Sequence, residues 1–77
     1  MRVAFNRKHY DGFFVKEFDN MGYNKERKEV ILYNTNGRQK LYINNVLSID
    51  YDEILRQVLH HGYFYAGAFG TYEFHEN

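Results

Sequence analysis

The feature that most constrains this chain is Asn36-Gly37, set between two apolar runs in KEVILYNTNGRQKLYINNVLSIDY, residues 28–51. A type I′ hairpin turn needs φ > 0 at both central residues, and asparagine followed by glycine readily tolerates this. With these two as the loop, Asn34 faces Gln39, Tyr33 faces Lys40, Leu32 faces Leu41, Ile31 faces Tyr42 and Val30 faces Ile43. Val30, Leu32, Leu41 and Ile43 then share one face, and Ile31, Tyr33, Lys40 and Tyr42 the other. A slip of one residue would destroy that agreement.

The rest of the chain is read around this hairpin. Val3 and Phe5 open a first strand running towards His9, and Asp11-Gly12 is a second hairpin signal. That loop puts Phe5 opposite Phe18 and His9 opposite Phe14, with Phe13 to Phe18 as the second strand. Asp19 to Arg27 is polar, contains Gly22, and reads as a loop or bulged connection. Glu29 to Asn34 and Gln39 to Ile43 follow as strands, and Val46 to Ile49 reads as a short fifth.

From Tyr51 the period changes. Apolar residues at 51, 54, 55, 58 and 59 mark one face of a helix over residues 51–61. Asp50 is placed as its N-cap, with Glu53 completing a capping box. His60 and His61 close the last turn, and Gly62 suits the left-handed position beyond it. GYFYAGAFGTYEF, residues 62–74, reads as one or two aromatic strands joined at a glycine turn. The expected fold is α+β: a small antiparallel sheet of about five strands, curled or barrel-like, packing one helix in a single domain over residues 1–77.

Composition excludes several function classes. The 77 residues include no cysteine, so there is no disulfide framework and no thiolate metal site. No apolar run approaches the ~20 residues of a membrane span, and no signal-peptide core follows the basic N-terminus. The expected location is therefore cytoplasmic. His60 and His61 are adjacent, point about 100° apart on a helix and cannot chelate together, and no HxxxH or HExxH spacing exists. Ser48 is the one serine and has no glycine elbow. No phosphate loop or other cofactor motif is present, so no cofactor and no enzymatic activity are expected.

Two anomalies remain. Seven Phe and eight Tyr are more than so short a chain can bury, and Tyr10, Tyr23, Tyr33, Tyr42, Tyr63 and Tyr65 are candidates for exposure. Charge is also uneven. Residues 1–40 hold nine of the ten Lys/Arg against five acids, whereas residues 41–77 hold Arg56 against five. Either the halves interleave and neutralise each other, or the first half carries a basic patch.

HYDGFF, residues 9–14, followed by KEVILYNTNGRQKLYINNVLSID, gives residues 2–51 a resemblance to the YolD-like family of small bacterial and prophage proteins. The shared features are a glycine-marked first hairpin, an I-x-L strand, a polar turn and a closing run of spaced apolar residues, here Tyr42 to Ile49. The resemblance implies a β-rich segment and a link to DNA-damage tolerance, and it transfers no catalytic residue. The helix and the aromatic tail lie outside it.

The expected function is that of a small non-enzymatic binding protein, a regulator or inhibitor of the kind phages and mobile elements encode. It would occupy a partner protein's surface through Ile31, Tyr33, Arg38, Lys40 and Tyr42, since exposed tyrosines with a polar rim make good anchors. The alternative is a nucleic-acid-binding module using Arg2, Arg7, Lys8, Lys16, Lys25, Arg27 and Lys28 with tyrosines between them. Homo-oligomerisation through strand edges or the tail is a further option.

Overall fold

The structure is a computed structural model that describes residues 1–6 and 13–76. In chain order it contains strands β1 (Arg2–Phe5), β2 (Phe14–Glu17), β3 (Asn20–Asn24), β4 (Glu29–Tyr33) and β5 (Gln39–Asn44). Helix α1 (Ser48–His61), β6 (Tyr63–Tyr65), a 3₁₀ turn (Ala66–Ala68) and β7 (Thr71–Glu76) follow.

The central hairpin has the register that alternation requires. Val30 pairs with Ile43, Ile31 with Tyr42, Leu32 with Leu41 and Tyr33 with Lys40. The turn itself differs from the type I′ expectation. Gly37 has φ 72°, whereas Asn36 is not left-handed. The Gly37 N–H closes on the Asn34 carbonyl at 2.7 Å, so the tight turn begins one residue earlier than a two-residue Asn36-Gly37 loop would. Glycine is needed at its exit because that position is left-handed.

Asp19 to Arg27 is not a loop. β3 pairs with β4 from Asn20↔Tyr33 to Asn24↔Glu29. Met21 and Tyr23 alternate with polar or small residues, a strand pattern masked by Gly22 and the asparagines. The turn to β4 is narrower than expected: the Asn24 side-chain oxygen accepts the N–H groups of Glu26 and Arg27, both at 3.1 Å. β7 pairs with the other side of β5, from Gln39↔Glu76 to Asn44↔Thr71. The resulting order is β3-β4-β5-β7. Gly70 has φ 143°, and a Cβ there would collide with the Asn44 carbonyl oxygen, so glycine is what lets β7 return so closely along β5.

β1 forms a second sheet, antiparallel to β2 and parallel to β6. Its register to β2 corrects the expectation: Phe5 stands opposite Phe14, not Phe18. The Met1 ammonium donates to the Phe18 carbonyl at 2.8 Å and the Phe18 N–H donates to Met1 at 2.9 Å, which extends the same ladder. The shift is four residues, an even number, so the same side chains still face inward. The Asp11-Gly12 turn and His9 lie outside the described residues.

The described residues therefore form two sheets, of three and four strands, that do not close into a barrel; about five strands in one curled sheet was too few. One apolar cluster joins them, built from Val3, Phe5, Phe18, Val30, Leu32, Leu41, Ile43, Val46, Ile54, Phe64 and Ala66. Residues 46–49 form no strand. Asn45 has φ 63°, which turns the chain out of β5, and the Val46 N–H then donates to Lys28 O at 2.9 Å. α1 consequently starts at Ser48 with Leu47 as an N-cap that makes no side-chain bond. Asp50 sits inside the first turn, where a negative charge suits the helix dipole. Glu53 binds Arg56 at 2.9 Å and accepts from Gln57 at 3.3 Å, so it makes no capping box. Only Ile54 of the helix is fully buried, and Leu59, expected on the packed face, is 81% exposed. The C-terminus forms as expected: Gly62 has φ 66° and its N–H reaches Val58 O at 2.9 Å.

Candidate functional site

Because Val30, Leu32, Leu41 and Ile43 are wholly buried, alternation turns Ile31, Tyr33, Lys40 and Tyr42 to the opposite, outer face of the four-stranded sheet. Tyr33 is exposed there, and Ile31, Lys40 and Tyr42 are half-buried by their neighbours. The register sets this face out in rows. Gly22, Ile31, Tyr42 and Glu73 lie across one row, and Asn20, Tyr33, Lys40 and His75 across the next. The aromatic tail does not cover this surface. It joins it as edge strand β7, while α1 buries Ile54 in the cluster behind.

Tyr42 is the centre of the arrangement. Its ring meets His75 edge-on, with centroids 5.4 Å apart and an interplanar angle of 76°. His75 Nε2 lies 3.3 Å from Glu73 Oε2, so the imidazole is held between a ring and a carboxylate. Around Tyr42 is an open concavity of about 390 Å³ lined by Glu29, Lys40, Tyr42, Asn44, Glu73 and His75. Arg38 is not part of these strand rows. It lies in the β4–β5 turn, beside a second concavity of about 350 Å³ lined by Asn34, Asn36, Arg38, Gln39 and Glu76.

The basic residues are spread over different elements. Arg2 lies on β1 and Lys16 on β2, on opposite faces of the three-stranded sheet by their register. Lys25, Arg27 and Lys28 crowd into the β3–β4 turn, with Lys28 at φ 51°. Arg38 and Lys40 are at the other end of the hairpin. Arg7 and Lys8 lie outside the described residues, as does Tyr10.

Two features were not foreseen. Asp19 accepts from Thr35 N–H at 3.0 and 3.2 Å, from the Thr35 hydroxyl at 2.7 Å and from Asn20 Nδ2 at 2.5 Å. Asn34 completes this knot, accepting from Asp19 N–H at 3.0 Å and donating to Glu17 O at 3.1 Å. The Thr35 donors hold the Asp19 carboxyl below the usual carboxylate range. These residue types are ordinary in turns, and only the fold shows that two distant turns share them. The second is an exposed apolar group, Phe13 (70% exposed), Val15 and Tyr63, on or beside the three-stranded sheet. Phe13 meets Tyr65 edge-on at 5.5 Å. Of the other tyrosines expected at the surface, Tyr23 is half-buried, stacks on Tyr51 at 4.7 Å and donates to Val46 O at 2.7 Å.

Comparison with family models, curated proteins and solved structures finds no match to this chain.

Its chemistry is therefore read from its own residues. Among the described residues no three His, Asp or Glu side chains are grouped so as to hold a metal ion. Ser48 is exposed at the start of α1, and His60 and His61 are exposed at its end. No described helix is long and apolar enough to cross a membrane. What the outer face of the four-stranded sheet offers is a shaped surface: two tyrosines and an isoleucine edged by Lys40, Glu29, Glu73 and His75. Such a surface suits non-covalent recognition, in which aromatic side chains supply contact area at low entropic cost and charged neighbours supply register.

Proposed function

We propose that this chain is a non-enzymatic binding protein, a regulator or inhibitor, that occupies a partner protein's surface with the outer face of its four-stranded sheet. The observation that carries the reading is the row geometry around Tyr42. An aromatic anchor sits centrally beside Ile31 and Tyr33, with both signs of charge at the margin, as in the centres of protein interfaces. Affinity purification from cells with mass spectrometry, with and without nuclease, tests it. A protein captured in both conditions, and lost with Tyr33→Ala or Tyr42→Ala, is the expected result. Capture that survives both substitutions overturns the assignment of this face.

The second reading is nucleic-acid binding, and the concentration of Lys25, Arg27 and Lys28 in one ordered turn favours it. Under that reading affinity falls steeply between about 50 and 200 mM salt, by ~10³-fold for six phosphate contacts. Binding that is flat over this range excludes it.

A further inference from the structure

Asn36-Gly37 is the one place in the chain where glycine follows asparagine. Glycine leaves its amide nitrogen without a neighbouring Cβ to shield it, and a Cβ built on Gly37 meets nothing within 4 Å. Asn36 is exposed to water. Its side-chain oxygen accepts the Arg38 N–H at 3.1 Å, which folds the carboxamide back along its own main chain. That donor draws electron density from Cγ and faces the oxygen on which charge gathers when Cγ becomes tetrahedral.

We propose that Asn36 is a site of spontaneous covalent modification, converting through a succinimide to aspartate and isoaspartate. The Gly37 nitrogen gives its proton to solvent base and forms a bond to Asn36 Cγ. The Cγ–Nδ2 bond breaks, and Nδ2 takes up a proton and leaves as ammonia. Water then opens the imide at one of its two carbonyls. Opening at Cγ restores the peptide with aspartate at 36, and opening at the main-chain carbonyl reroutes the chain through Cγ as isoaspartate. One water is consumed and one ammonia released, with no redox change.

Folding acts as a brake on this step. The Gly37 N–H is bonded to Asn34 O at 2.7 Å, and that bond must open before the nitrogen can attack. The product matters to the turn. A new carboxylate enters the concavity shared by Arg38 and Glu76. Isoaspartate also adds a carbon to the main chain beside the register that places Tyr33 and Lys40.

The test is to age the purified full chain at mildly alkaline pH, native and urea-unfolded, and to map amide-to-acid conversion by peptide mass spectrometry with an isoaspartate-specific assay. Conversion concentrated at Asn36, rising with pH, and at least about fivefold slower in the native chain is expected, the factor that opening one backbone hydrogen bond imposes. Gly37→Ala, read in the unfolded chain so that folding does not enter, suppresses it. The proposal is overturned if Asn36 remains an amide in the unfolded chain, if Asn44 or Asn45 converts as fast, or if native and unfolded chains react at the same rate.

Discussion

The two sheets turn very different outer surfaces to solvent. On the four-stranded sheet the outward residues of β4, β5 and β7 form continuous rows, and its aromatic side chains are braced by neighbours: Tyr42 by His75, and His75 by Glu73. On the three-stranded sheet Arg2, Glu17 and Tyr63 make one row and Ala4, Val15 and Tyr65 the next, with Phe13 beside them. Here the strands are four, four and three residues long, and Phe13 and Val15 stand more exposed than Tyr33. On the proposed function, the difference is one of scaffold: anchors need a surface that limits their freedom before binding, and longer antiparallel strands hold side chains more firmly than short ones.

The largest effect expected from breaking this comparison lies in the core beneath the four-stranded face. Leu41→Ala should cost about 2–5 kcal/mol of stability in urea or thermal unfolding, since Leu41 is fully buried between the sheets. Tyr33→Ala and Tyr42→Ala should cost less than that in folding while each weakening a partner complex by about 2 kcal/mol. Phe13→Ala on the other sheet should leave the same complex unchanged. If the tyrosine substitutions unfold the chain as badly as Leu41→Ala, the outer face behaves as core; if Phe13→Ala matches them in affinity loss, the two surfaces are not functionally distinct. Titration calorimetry alongside melting curves separates these outcomes.

Gly70→Ala tests how the tail completes the four-stranded face. With the Asn44 carbonyl in the way of a Cβ, the substitution should destabilise by about 1–3 kcal/mol and raise hydrogen exchange along β7 more than along β1. Equal exchange in both strands would show that β7 is not anchored by that close approach.

The smallest effect is the pH dependence of the knot between the β2–β3 and β4–β5 connections. Asp19 is held below its ordinary value by Thr35, so its contribution is fully present above the unfolded carboxyl value, about 3.9, and is lost as pH falls through the lower folded one. Asp19 is exposed, so the loss should be slight, and Asp19→Asn should flatten stability against pH only in that acid range. An unchanged acid profile in Asp19→Asn would show that the knot contributes nothing through its charge.

Legibility in the sequence followed the range of the interaction. The β4–β5 register needs two alternating runs and a turn between them, all within residues 29–44, and it was readable although the turn type was not. The left-handed glycine and the histidine-bearing last turn of α1 were equally local. β3 was hidden because Gly22 and two asparagines, Asn20 and Asn24, weaken its intrinsic preference, and what makes it a strand is β4 alongside. The capping box at Asp50 and Glu53 was a sound local signal overridden by Asn45, which ends β5 early enough for the helix to begin at Ser48. Of the candidate recognition residues, Ile31, Tyr33, Lys40 and Tyr42 follow from alternation alone. Arg38 lies in the turn, where alternation assigns no face, and Glu73 and His75 were not foreseen beside Tyr42 because β7 brings them there only by pairing with β5.

The sequence by itself determined which side chains of the central hairpin face inward and that a helix follows, because turn chemistry and hydrophobic period act between near neighbours. Tertiary structure decided that the strands divide into two sheets, with β1 parallel to β6 and β7 closing the edge of β5. Those pairings join residues up to some sixty positions apart, as in Arg2↔Tyr63. They are selected by which closed arrangement buries Phe5, Phe18 and Phe64 in one cluster, a property of the whole chain that no local window contains.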